Sequence, residues 1–136
     1  MKKIILMLLL FISTDIVFAQ SLAQNSKTEN FTLETPVFLW NETTFNFAEV
    51  KLNEPVTHEF YFTNAGKASL IISSVRASCG CTVTEYSKDP VPPGQRGYVK
   101  ASYNAAKLGV FNKTITVNSN TDELVVLLTI KGEVRN

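Results

Sequence analysis

The sequence predicts an all-β protein, an immunoglobulin-like antiparallel β-sandwich of about seven strands, preceded by a cleavable signal peptide. Three observations lead there. Short runs of alternating apolar and polar residues recur along the chain, turn-forming residues separate them, and no stretch spaces its apolar residues as an amphipathic helix does.

Two short strands come first, over 37–40 and 45–50. The clearest strand covers 56–63. There Val56, His58, Phe60 and Phe62 alternate with Thr57, Glu59, Tyr61 and Thr63, the period of two of a half-buried strand. Asn64-Ala65-Gly66-Lys67 turns the chain, because Asn and Gly accept positive φ. The next strand starts with Leu70, Ile71 and Ile72 and reaches about Val75. Pro90, Pro92, Pro93 and Gly94 mark a rigid connection that an inner strand could not contain. Only 104–109 could hold a helical turn. Over 98–103 the alternation returns, with Val99, Ala101 and Tyr103 inward, and over 111–118 Phe111, Ile115 and Val117 share a face. After the turn Ser119-Asn120-Thr121-Asp122, a last strand over 124–134 points Leu124, Val126, Leu128 and Ile130 inward. Val125 and Leu127 make it apolar on both faces, which suits a central strand or a contact patch. A small barrel is the alternative closure of the same strands.

The N-terminus has the make-up of an export signal. Lys2 and Lys3 precede an apolar run from Ile4 to Ile12, and Val17-Phe18-Ala19 offers a cleavage site. The run is shorter than the roughly 20 apolar residues of a bilayer span. The expected organisation is therefore a signal peptide over 1–19, a polar flexible leader over 20–30 and one sandwich domain over 31–136, with no stable membrane span after processing. Losing Lys2, Lys3 and Asp15 takes the formal net charge from +1 to zero. A neutral chain with scattered charges argues against nucleic-acid binding, which needs a basic face.

The parts for catalysis are few. His58 is the sole histidine, so a Ser-His-Asp relay has one conceivable centre, and its place near a strand start reads as a boundary residue with one ring nitrogen hydrogen-bonded. The glycines are isolated, and the carboxylates of Asp122-Glu123 fall in a turn. The chain is therefore expected to be no enzyme and to carry no cofactor.

Cys79 and Cys81 are the only cysteines. On an extended strand two such residues lie about 7 Å apart, too far for a disulfide, but Gly80 can bend the chain between them. A bridge across one residue would be strained and readily reduced. Three readings stay open: packed thiols at a strand end, a redox pair, or a metal site in which Cys79 and Cys81 hold copper(I) or another soft ion with His58 as the remaining donor. Met1 and Met7 lie in the signal, so the processed chain lacks the thioethers a dedicated copper carrier often recruits.

The run from Phe45 to Val134 resembles DUF1573, a family of short exported bacterial domains of unknown function. Ala77-Ser78-Cys79-Gly80-Cys81-Thr82 carries the resemblance. It is reinforced by Phe60-Tyr61-Phe62-Thr63-Asn64-Ala65-Gly66, Val91-Pro92-Pro93-Gly94, the run from Gly109 to Val117, and Ile130-Lys131-Gly132-Glu133-Val134. The resemblance implies an immunoglobulin-like module akin to sperm-protein and cilia-associated sandwiches, and it implies no activity. The family tends to have Phe-Gly where this chain has Phe47-Ala48, and a glycine near Asn53. Asn53 can still adopt a left-handed conformation, whereas Ala48 is less permissive, so the first turn is expected to differ.

The expected function is a non-catalytic exported module, periplasmic or extracellular, that binds or scaffolds an unknown protein partner of the cell envelope. Trp40, Tyr98, Val125 and Leu127 form the candidate patch. The alternative is a thiol module centred on Cys79 and Cys81. Carbohydrate binding on a sheet face rests on Trp40 alone. The patterns Asn30-Phe31-Thr32, Asn41-Glu42-Thr43 and Asn112-Lys113-Thr114 match a glycosylation acceptor, a match that is coincidental if the source is bacterial, as the resemblance implies.

Overall fold

The alternating runs become strands because each has one apolar face to bury, and two such faces cover each other. The computed structural model describes residues 34–80 and 82–136; the expected signal peptide, the leader, the first residues of the domain and Cys81 lie outside the described residues. Eight strands are present: β1 (Phe38–Trp40), β2 (Thr44–Lys51), β3 (Val56–Asn64), β4 (Ile72–Ala77), β5 (Thr82–Tyr86), β6 (Arg96–Tyr103), β7 (Gly109–Ser119) and β8 (Val125–Arg135). No helix occurs among the described residues.

The strands form two four-stranded sheets, in the orders β1-β3-β6-β5 and β2-β8-β7-β4. This is the strand partition of an immunoglobulin-like sandwich. The first strand divides between the sheets. Asn41 N still donates to Tyr61 O of the first sheet, at 3.0 Å, while Thr43 O already accepts from Thr129 N of the second, at 2.8 Å. Phe60, Phe62, Val99, Ala101 and Tyr103 from one sheet join Phe111, Ile115, Val117, Val126, Leu128 and Ile130 from the other in one buried core.

The structure departs from the sequence expectations in five places. An eighth strand, β5, was not anticipated; its inward positions include Thr82 and Thr84, so it lacks an apolar stripe. β2 runs parallel to β8, so the sandwich is not wholly antiparallel. β4 begins at Ile72 rather than Leu70, because Leu70 pairs with Val91 in an isolated bridge that anchors the proline-rich connection. The stretch 104–109 has no helical turn, and Ala105 there takes φ 51°. Leu124 does not face inward: it lies in the turn before the first ladder pair, Asn118 with Val125, and is 66% exposed.

Ala48 adopts φ 59° in spite of its Cβ, at a bulge where the β2–β8 register shifts between Asn46 and Glu49. The Asn46 side chain supports it, its Oδ1 accepting from Ala48 N at 3.0 Å. Asn53 is left-handed too, with φ 61°.

Candidate functional site

Cys79 and Gly80 lie where the chain crosses from the edge of one sheet to the edge of the other, between β4 and β5. Ser78 ends the β4–β7 ladder: its N donates to Thr114 O at 2.8 Å and its Oγ accepts from Thr114 N at 3.2 Å. Thr82 N then donates to Cys79 O at 3.3 Å and closes a tight turn. Thr84 Oγ1 reaches Val75 O at 3.4 Å and ties the two sheet edges together. Cys79 is disulfide-bonded and half-buried, between exposed Ser78 and exposed Gly80. A Cβ placed on Gly80 would meet no heavy atom within 4 Å, so the loop tip opens to solvent. Thr82 is buried below it, with Oγ1 3.8 Å from Cys79 Sγ.

His58 is engaged elsewhere. Its ring stacks on Phe45 with centroids 3.6 Å apart, meets Phe60 edge-on, and bonds Glu42 Oε1 through Nε2 at 2.9 Å. On its strand it pairs with Ala101, which on its other side pairs with Thr84 of β5, so His58 and β5 are two strand spacings apart, about 10 Å. Among the described residues no group of three His, Cys, Asp or Glu side chains could hold a metal. A disulfide sulfur is no thiolate ligand, so soft-metal binding at Cys79 requires the reduced state.

The second candidate region is the outer face of the β2-β8-β7-β4 sheet. Val125 stands opposite Asn118, and Leu127 opposite Thr116, which pairs in turn with Arg76. Thr129 lies between Thr114 and Thr44, and Lys131 between Asn112 and Asn46. β8 is thus a central strand whose outward side is still apolar: Val125 is 47% exposed and Leu127 57%. Exposed Ile71 and Leu124 adjoin the same end of the sheet. Ile71 O accepts from Asn120 N, and Leu124 O from Ser119 N.

The other two patch residues separate. Trp40 is half-buried, its ring against Phe38 and Phe62 with centroids 4.9 and 5.0 Å away, and its buried Nε1 lacks a hydrogen-bond partner. Tyr98 sits on the outer face of the first sheet, paired across strands with Tyr61. Sequence reading missed this face, although the polar sides of the alternating β3 and β6 runs marked it. Lys100 lies between Glu85, at 3.0 Å, and Glu59, at 3.8 Å. Tyr61 donates to Glu59, Tyr98 donates to Glu85 at 3.3 Å, and the Arg96 guanidinium covers the Tyr61 ring at 4.8 Å. The hydrogen bond to Glu59 chiefly, and burial next, hold the Tyr61 hydroxyl above its ordinary pKa. Beside Tyr98 opens a groove of about 790 Å³ lined by Tyr86, Lys88, Asp89, Pro92 and Arg96 among others.

Solved structures share this architecture at low identity, a likeness of fold alone. A protein of unknown function from Porphyromonas gingivalis superposes with a TM-score of 0.66 at 15% identity, over 74% of this chain and 47% of that one. This chain therefore spans about half the length of that protein. The PapD-like domain 7 of human CEP192 gives 0.62 at 6% identity, over 75% of this chain and 87% of that domain. The secreted serine protease VesC of Vibrio cholerae gives 0.55 at 14% identity, over 74% of this chain and 23% of that one. No curated protein matches the sequence. The family model for proteins of unknown function (DUF1573) matches residues 38–134.

Proposed function

The chain belongs to the DUF1573 family, and on that premise we propose that it is a non-catalytic exported module that binds a protein partner through the outer face of β8. One observation carries the reading. Val125 and Leu127 leave apolar surface in the middle of a sheet face whose other side already fills the core. A central strand needs one apolar face to fold, so the second serves contact. Asn118, Thr116, Thr129 and Lys131 around them supply the polar rim of a protein interface. The export signal read in the sequence supports a periplasmic or extracellular site of action, and the neutral processed chain supports a protein rather than a nucleic-acid partner.

The test is capture from the cell envelope by the immobilised chain, run beside Val125→Lys and an exposed control, Glu54→Lys. The Val125→Lys chain, with an unchanged circular dichroism spectrum, is expected to lose what the wild type and the control retain. Identical captured sets from all three would remove this face from consideration.

A further inference from the structure

We propose that Cys79 is a thiol–disulfide exchange site, and that its substrates are thiols presented to the open crossover loop between β4 and β5. The observations are independent of the β8 face. Cys79 is already oxidised into a disulfide, so no further oxidant is needed for a first turnover. It stands between two exposed residues, and open space surrounds the Gly80 position, so an incoming sulfur has a path. Accessible disulfides exchange more readily than disulfides sealed in a core, and Cys79 is half-buried at an open loop rather than sealed. Around it the fold is held by other means. Ser78 is bonded to Thr114 and Thr84 to Val75, so both strand ends keep their ties when the disulfide opens.

The chemistry balances with a dithiol substrate as the reductant. A substrate thiolate attacks Cys79 Sγ; a sulfur–sulfur bond forms there, and the chain's own disulfide breaks. The electron pair leaves on the departing sulfur, which takes up a proton. The second substrate thiolate then attacks the substrate sulfur of the mixed disulfide, and Cys79 leaves as a thiolate that is protonated in turn. The substrate loses two electrons and two protons to become a disulfide, and the chain gains both as two thiols.

Thr82 is placed to assist the last step as a positioning residue. A disulfide sulfur carries no hydrogen, so in the 3.8 Å contact the Thr82 hydroxyl is the donor toward Cys79 Sγ. That contact strengthens when Cys79 leaves as a thiolate, because a hydrogen bond to a charged acceptor is stronger than one to a neutral acceptor. The hydroxyl therefore favours the charged leaving group.

The experiment uses the wild-type chain purified without reductant. It is equilibrated in a series of reduced and oxidised glutathione ratios and quenched by alkylation. Intact mass counts its thiols while circular dichroism follows the fold. Both redox forms are expected within the series, with the fold retained in each. The oxidised chain is expected to convert a synthetic dithiol peptide to its disulfide while gaining two thiols. Exchange with the peptide but not with glutathione would assign protein thiols as substrate; exchange with glutathione alone would assign small thiols. In a Cys81→Ser chain, Cys79 is expected to accumulate as the glutathione mixed disulfide. Thr82→Val is expected to slow exchange roughly fivefold and move its pH profile upward. An unchanged profile overturns the role of Thr82. A disulfide that yields neither to glutathione at any ratio nor to the dithiol peptide until the chain is unfolded, or a fold lost upon reduction, overturns the proposal.

Discussion

Asn64 is a buried polar residue with all four of its side-chain hydrogen bonds made inside the protein. Its Nδ2 donates to Ala68 O at 2.8 Å and to Val91 O at 2.9 Å, and its Oδ1 accepts from Gly66 N at 3.0 Å and Val37 N at 3.3 Å. One side chain thus fixes the turn after β3, the approach to β1 and the proline-rich connection. Asn64→Ala takes their partner from Ala68 O, Gly66 N and Val37 N and leaves Val91 O only its bond from Leu70 N, and it is expected to lower stability by about 3 kcal/mol, read from the urea midpoint. A loss below about 1 kcal/mol would mean that water replaces the amide without cost. Ala48 presents the opposite case, a residue at odds with its conformation. A left-handed alanine costs about 1–2 kcal/mol, and glycine returns part of that as chain entropy in the unfolded state. Ala48→Gly is therefore expected to stabilise the chain by roughly 0.5–1 kcal/mol. A lower melting temperature for this variant would show that the Ala48 methyl makes contacts worth more than the strain.

Strand glycines and charge rows act at the scale of the element. Gly97 faces Phe62 across the β3–β6 ladder, and a Cβ there would lie 2.3 Å from the Phe62 ring. The ring lies over the bare backbone, which lets Phe38 and Trp40 close around it. On the opposite side of this sheet the row Glu59–Lys100–Glu85 crosses three strands. The hydrogen bond and the charge of Lys100 hold the Glu85 carboxyl below its usual range. A depressed folded value means the contribution is present above the unfolded pKa and lost as the pH falls through the folded one. The same pair raises Lys100, whose contribution is present below its ordinary value and lost as the pH rises through the raised one. The groups are exposed, so the effect is small. The urea midpoint of the wild type is expected to drop more between about pH 6 and about pH 3 than that of Lys100→Met. Coincident profiles would show that the row contributes no net stability.

For the whole molecule, stability rests on the core between the sheets rather than on the crossover disulfide. A bridge between Cys79 and Cys81 closes a loop of only three residues, which limits its entropic contribution to about 2 kcal/mol. Reduction is expected to lower the unfolding free energy by no more than that and to leave a single cooperative transition. A transition that splits or vanishes on reduction would make the disulfide a condition of folding.

How much of this was legible in the sequence differs with the range of the interaction. Alternation is local, so the inward sets Phe60 and Phe62, Val99 and Ala101, and Leu128 and Ile130 could be read directly, as could the two-sided character of β8 at Val125 and Leu127. The same holds for Asn64-Ala65-Gly66, whose residue types imply a turn before any partner is known. Pairing is not local. β5 has hydroxyls where a strand signal needs apolar residues, and it exists because β6 offers it a ladder. Ala48 is held left-handed by a register shift against β8, and the Tyr61–Tyr98 pair forms only when β3 and β6 align. By itself, then, the sequence determined which residues face inward in the middle of the alternating runs and where the main turns fall, because those depend on neighbours along the chain. Only the tertiary structure decided which strands are edges, which sheet Trp40 joins, and that Cys79 stands in an open crossover, because those depend on segments far apart in sequence meeting in the sandwich.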